Sequence, residues 1–314
     1  LIGYLMRPKI KSNNLFDWFQ TNFGKQICEC FLFPYNEKAW KTDLKNISIN
    51  WVSRVSLGSL KFLRGFFIGG DQNYNSNEHV CYPNTADFEN LFSSSIKKLH
   101  NNFFTNSEVA KIDIESKIVT TKNGRIYQYK NLISTLPVDL LIKQMIVNKN
   151  ERVIKLANQL EKVSTCLVTF LTKKCFSVLQ RIYIPDKKYL AQRIVINSNS
   201  SWYLKRQNES IFSLEISYKV KNDLPKNDII VDNCKELLRD LNVIKNDEDI
   251  KDFRLDFFEY MYPTQTINLE SIMFEIKKYL ENYNCYTIGR FGSWNYANID
   301  GILNETTELI NQNF

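Results

Sequence analysis

The sequence predicts a mixed α/β (α+β) fold, and three observations carry that prediction. Apolar residues recur at helical spacing in several stretches, as Leu15, Trp18, Phe19, Phe23, Ile27 and Phe31 do. Other stretches alternate at period two or run almost continuously apolar, as VSTCLVTFLT does at 163–172. The two patterns are interleaved along the chain, separated by glycine, proline and asparagine signals.

Each element follows from its own residues. The periodicity predicts a helix over 14–33, weakened at Gly24, and Pro34-Tyr35-Asn36 should stop it because proline cannot continue the hydrogen-bond ladder. Residues 56–80 are poorly periodic and hold Gly58, Gly65, Gly69 and Gly70, which reads as a loop. A short strand and a turn at Pro83-Asn84 lead into a helix whose buried stripe is Phe88, Leu91, Phe92, Ile96 and Leu99. Residues 108–137 alternate at period two around Asn123-Gly124, a strong hairpin turn, and close on a strand at 131–134 followed by Thr135-Leu136-Pro137. A helical stretch is expected over 138–160. Strands follow at 163–172, 181–186 and 211–220, the last pointing Phe212, Leu214, Ile216 and Tyr218 one way and Ser213, Glu215 and Ser217 the other. An amphipathic helix at 231–241, a strand at 253–262 ending in Tyr262-Pro263, and a helix marked by Ile272, Ile276 and Leu280 complete the middle of the chain.

The stretch YTIGRFGSWNYANIDGILNETTELI at 286–310 is the densest in signals. A β-prone lead-in meets Gly289, and a bend carries Arg290, Phe291, Gly292, Trp294 and Tyr296. Asp300 is expected to open the last helix, accepting from its first free N–H groups, with Ile302, Leu303, Thr306, Leu309 and Ile310 at helical spacing. Glycines allow tight turns and close approach of a ligand, and the positive end of a helix suits an electron-rich group. The plainer alternative is a terminal strand, turn and helix that only pack.

Composition excludes more than it selects. At 314 residues, 44% apolar and 24% charged, the chain can bury one large core or two ordinary ones. The net charge of +7 comes from scattered lysines without a basic block, so nucleic acid is not an expected partner. No run reaches the ~18 uncharged apolar residues of a membrane span. Seven cysteines without a C-x-x-C fit reduced thiols in a cytoplasmic protein. With two histidines, a His-rich metal site or a Ser-His-Asp enzyme is poorly supplied, and no metal site is expected.

Several segments together resemble the amine-oxidase-like FAD flavoproteins, in the branch with protoporphyrinogen-oxidase-like proteins and UDP-galactopyranose mutase. GRFGSWNYANID resembles the C-terminal flavin-binding segment of that family, and FGKQICECFLFPYNEKAW with Ser48, Trp51 and Arg54 resembles its FGK-x-I, PYN-x-K-x-W and S-x-x-W signature. The strand near Val109, the hairpin and I-S-T-x-P resemble the family's return to the FAD domain, and Tyr183, Arg193 and Tyr262 fall where relatives carry Y-x-P, R-x and Y-x-Y-P patterns. One departure stands out: where relatives carry a Gly-Gly pair near the flavin, this sequence has Ala86-Asp87, with Glu89 at a later family glycine.

The resemblance implies an FAD-binding flavoprotein fold with an interleaved substrate domain. Residues 1–55 are its helical part, 56–138 an FAD-domain segment, 139–283 the substrate sheet and helices, and 284–314 the C-terminal FAD segment. It implies FAD as cofactor, held by Val109, Thr135, Pro137, Gly289, Arg290, Phe291, Gly292, Asp300 and Ile302, and a small-molecule substrate near Tyr183, Arg193 and Tyr262. Arg290 is expected to clamp a diphosphate, with a surface ion pair as the alternative. None of the ten glycines forms the G-x-G-x-x-G of the family's βαβ unit, so the chain is expected to be a fragment lacking that unit. The activity implied is hydride transfer from substrate to flavin. The alternatives are a flavin-dependent sugar-nucleotide mutase and a degenerate relative without catalysis.

Overall fold

A computed structural model of the protein describes residues 12–54, 90–173, 179–199 and 209–314. The expected loop at 56–80, the strand and turn around Pro83-Asn84, and Ala86, Asp87 and Glu89 lie outside these residues.

Helix α1 (Leu15–Phe23) is capped by Asn14, whose side chain accepts from the Asp17 N–H. It ends at Gly24, which turns with φ 79°. The chain does not stop at Pro34. Helical turns at Lys25–Ile27 pass through a π-type segment, Cys28–Leu32, into α2 (Phe33–Trp40). The wider π turn lets Phe33 N–H reach Cys28 O, and Pro34 then sits in the first turn of α2, where its missing donor costs little. Helix α3 (Asn90–Leu99) follows.

Strands β1 (Val109–Asp113), β2 (Ile118–Thr121) and β3 (Ile126–Gln128) form the expected meander. The Asn123-Gly124 turn closes with Gly124 at φ 83° and Thr121 N–H on Arg125 O. Strand β4 (Leu132–Ser134) leaves this sheet and pairs in parallel with a late strand, β11 (Cys285–Thr287).

The single helical stretch expected over 138–160 is broken in two. After a short turn and a π segment, β5 (Ile146–Val147) adds to β1 in parallel. Asn148 then takes φ 56°, and Asn150 caps α4 (Glu151–Ala157), accepting from Arg152 and Val153 N–H. Asparagine tolerates the left-handed turn and caps helices well, so the local polar residues override the apolar period.

The second sheet runs β10-β6-β9-β8-β7 and is antiparallel throughout. Its strands are β6 (Lys162–Lys173), β7 (Arg181–Tyr183), β8 (Arg193–Ile196), β9 (Glu209–Tyr218) and β10 (Ile250–Pro263). Helix α5 (Asn227–Asp240) covers one face with Ile230, Val231, Cys234, Leu237 and Leu238. On β9 both faces are buried: Phe212, Leu214 and Ile216 on one, Ser213, Glu215 and Ser217 on the other.

Helix α6 (Leu269–Glu281) packs with α4 and the first sheet around Trp294, which is fully buried. The last helix, α7 (Ile299–Asn313), starts one residue before Asp300. Asn298 is its N-cap residue and no side chain bonds there, so Asp300 lies in the first turn and does not cap. It still faces the positive end of the helix dipole favourably. No residue of α7 is buried. No helix among the described residues is long and apolar enough to cross a membrane.

Candidate functional site

A cleft of about 300 Å³ opens between α1–α2 and the second sheet, where the C-terminal segment meets them. Its walls are largely aromatic: Phe19, Phe23, Phe31, Tyr35, Trp40, Tyr183, Tyr262 and Tyr296 all line it. The rings brace one another. Tyr35 meets Tyr183 edge-on at 5.2 Å, and Tyr262 stacks on Tyr296 at 5.4 Å. Trp40 stands edge-on to both Tyr262 and Tyr296.

The polar centre of the cleft is Arg193. One nitrogen, Nη2, donates to both carboxylate oxygens of Glu215, at 2.7 and 2.6 Å, and to Tyr262 OH at 2.7 Å. Tyr262 OH in turn donates to Glu215 Oε2 at 3.0 Å. Sheet topology produces this. Arg193 and Glu215 are direct register partners on β8 and β9, and β10 brings Tyr262 to the end of the same sheet. A buried carboxylate without a partner would be costly, and the guanidinium removes that cost.

Electrostatics follow the geometry. Burial works against the Arg193 charge, but the Glu215 carboxylate and Tyr262 more than reverse this and hold its pKa above the usual value. Burial, then Glu215, pushes the Tyr262 phenol up, with Arg193 opposing. Tyr35 is also raised by burial against the pull of Arg193. Both phenols are therefore neutral donors near pH 7. Arg193 Nε is buried without a hydrogen-bond partner among the described residues.

The glycine segment forms a second locus beside the cleft. Gly289 takes φ 87°, and a Cβ built there meets nothing within 4 Å. Gly292 has a local reason: its Cβ would lie 2.1 Å from Ile288 O. Thr135 and Pro137 are brought to this turn, since Ile288 N–H bonds Ser134 O and Val138 N–H bonds Phe291 O at 3.0 Å. Phe291 packs between Tyr260 and Trp294, and the Trp294 indole donates to Glu161 O. Glu305 of α7 folds back onto the turn, accepting from Gly289 N–H at 3.0 Å and from Ser293 Oγ.

Among the described residues Arg290 forms no ion pair, the alternative considered from sequence. Its Nε and Nη2 donate to Ala297 O at 3.2 and 3.1 Å, and its guanidinium lies 4.9 Å from the centre of the Tyr296 ring. Tyr296 therefore connects Arg290 on one side to Tyr262 on the other.

The three residues expected near a substrate, Tyr183, Arg193 and Tyr262, meet in one cleft. Among those expected at a cofactor, Thr135, Pro137, Gly289, Phe291 and Gly292 share one turn region, while Asp300 and Ile302 sit in the first turns of α7. Val109 lies on β1, where it pairs with Thr121, and packs against the apolar cluster that also holds Phe291. Sequence reasoning missed Glu215, placed only on the strand face opposite Phe212, Leu214 and Ile216, and gave Tyr35, Trp40 and Tyr296 no place in the substrate pocket. The glutamate at 215, the one charged residue between Ile211 and Tyr218, is the signal that could have found the first.

No family model matches the sequence. Solved structures do match the fold. A reduced UDP-galactopyranose mutase is similar over 94% of this chain, with a TM-score of 0.84 and 23% identity, and the chain spans 66% of that structure's length. A putative protoporphyrinogen oxidase from Exiguobacterium sp. 255-15 matches 98% of this chain and 70% of its own, with a TM-score of 0.69 and 10% identity. A fatty acid isomerase from P. acnes, described as producing CLA, matches 100% of this chain and 73% of its own at a TM-score of 0.62 and 11% identity. The fold of this chain is the mixed α/β fold that these structures share.

Proposed function

We propose that this chain is part of an FAD-dependent enzyme that holds a small molecule in the aromatic cleft and transfers a hydride from it to the flavin. The observation that carries the reading is the line Arg290–Tyr296–Tyr262–Arg193, which joins the glycine turn to the polar centre of the cleft. A cofactor at the turn and a substrate in the cleft would then be neighbours.

The residues at the turn fit the ring end of a flavin. Gly289 leaves open space where a side chain would stand, and no side chain caps the first turn of α7, whose N–H groups suit an electron-rich edge. Thr135, Pro137, Gly289, Arg290, Phe291, Gly292, Asp300 and Ile302 would line that place, with Val109 on the first sheet. Nothing among the described residues supplies a glycine-rich cradle for the diphosphate. The flavin, when bound, supplies the two-electron chemistry.

The chain's own residues bind and orient. Tyr35, Trp40 and Tyr262 offer flat apolar walls that exclude water. Arg193 is locked by Glu215 and Tyr262, which fixes a positive charge at the cleft for a substrate oxygen. The Tyr35 phenol keeps its proton at neutral pH and can donate but not act as a base, while the Tyr262 proton is already given to Glu215.

Visible spectroscopy of the purified protein tests the reading. A flavin band should appear on adding FAD, bleach anaerobically with a substrate and return with an oxidant. Absence of any flavin uptake, including when a polypeptide carrying the G-x-G-x-x-G unit is supplied, would remove the reading in favour of a non-catalytic relative. A second reading, a sugar-nucleotide mutase, is favoured by the TM-score of 0.84 to such an enzyme. It would act only after prior chemical reduction and consume no reductant per turnover.

A further inference from the structure

Lys38 lies on α2 between two cleft residues, Tyr35 and Trp40, yet its side chain points to the opposite wall. Its Nζ donates to three backbone carbonyls: Ile184 O at 3.0 Å, Asp186 O at 2.8 Å and Ala191 O at 2.8 Å. An ammonium carries three N–H donors and no acceptor, so three carbonyls satisfy it fully. These carbonyls bracket the connection between β7 and β8. Tyr183 immediately precedes the first, and Gln192 and Arg193 follow the last. The same connection is closed by Ile184 N–H on Gln192 O and by Gln192 N–H on Glu215 O.

We propose that Lys38 is a positioning residue for the cleft: it ties the helix carrying Tyr35 and Trp40 to the loop that sets Tyr183 and Arg193. It touches no ligand site itself and acts through those side chains. Its relevance to substrate rests on the reading of the cleft as the substrate site, but its action on the loop does not. Geometry favours this role over a surface contact. A surface lysine pairs loosely with one carboxylate, whereas Lys38 makes three charge-assisted bonds to main chain about 150 residues away in sequence. Neutral removal would leave three carbonyls at the loop without this donor and would free the two walls to shift apart.

Amide hydrogen exchange and pulse labelling of arginines with phenylglyoxal test this on the purified 314-residue protein. In Lys38→Met, the Ile184 and Gln192 amides should exchange roughly tenfold faster, the equivalent of about one lost charge-assisted hydrogen bond. Arg193 should label faster relative to exposed Arg152, which serves as the internal standard. Amides of central strand β6 should be unchanged. Lys38→Arg, which restores donors and charge, should recover most of the protection at both places. Unchanged exchange and labelling in Lys38→Met, equal acceleration in β6, or no recovery in Lys38→Arg would each overturn the proposal. If Lys38→Met does not fold, Lys38→Gln takes its place, and wild-type protection in that variant overturns it too. Neither readout uses flavin or turnover, so failure of the flavoenzyme reading leaves this result legible, and the reverse.

Discussion

Arg193 and Glu215 face each other as direct partners on adjacent antiparallel strands, joined by two hydrogen bonds from a single guanidinium nitrogen at 2.7 and 2.6 Å. Both side chains are largely removed from water, at 17% and 6% exposure. Each charge is tolerable there only because the other is present.

Breaking that pair should therefore cost far more than a surface ion pair. Glu215→Ala leaves a buried guanidinium uncompensated and should lower stability by about 3 kcal/mol or more. Tyr262→Phe removes only the phenolic bridge and should cost about 1 kcal/mol. Urea denaturation of the two variants checks the ranking, and equal losses would show that the carboxylate is not the buried charge's main partner.

The three glycines near the C-terminus should behave differently on substitution by alanine. Gly292→Ala forces a Cβ to within 2.1 Å of Ile288 O, where backbone must move, and should cost about 2 kcal/mol or more. Gly289→Ala meets no atom but must hold φ 87°, a cost of about 1–2 kcal/mol. Gly301→Ala lies inside α7 with only Ala297 Cβ at 3.6 Å, and should stabilise by about 0.5–1 kcal/mol. Thermal melts of the three variants should show this order.

Buried thiols predict a loss of stability in alkali. Burial pushes Cys28 and Cys166 up to about 11, and Cys234 and Cys285 up to about 12. Their folded values lie above the unfolded value of 9.0, so the unfolded chain ionises first. The stability they contribute is whole below pH 9 and falls as pH rises towards the folded values. Urea midpoints taken between pH 8 and pH 10.5 should drop, and Cys234→Ala should flatten the slope. At pH 8, iodoacetamide should modify exposed Cys30 before buried Cys28, read by peptide mapping.

Trp294 should be the costliest single side chain of the C-terminal segment. It is fully buried, packs edge-on against Phe291 and donates to Glu161 O at 3.0 Å. Trp294→Ala should cost about 3–5 kcal/mol. Trp294→Phe keeps an aromatic ring but leaves the carbonyl unpaired, and should cost less. A near-neutral Trp294→Ala variant would contradict this packing.

Local pattern made much of this legible. Period two around Asn123-Gly124 marked the meander, and the continuous apolar run at 163–172 marked the central strand β6. It failed where hydrogen bonding overrode periodicity. Pro34 did not end its helix because a π turn preceded it, and the stretch 138–160 broke because Asn148 and Asn150 set a left-handed turn and a cap.

The sequence by itself determined most of the helices and strands among the described residues, that Gly289 and Gly292 bend the chain, and that Tyr183, Arg193 and Tyr262 belong near a pocket. Side-chain period and turn chemistry act over a few residues, so they can be read from neighbours in sequence. Only the tertiary structure decided that Glu215 pairs with Arg193, that Tyr296 bridges Arg290 to Tyr262, and that Lys38 holds carbonyls of a loop about 150 residues away. Those contacts depend on strand register and on two elements crossing, and no local pattern in a single chain encodes either one.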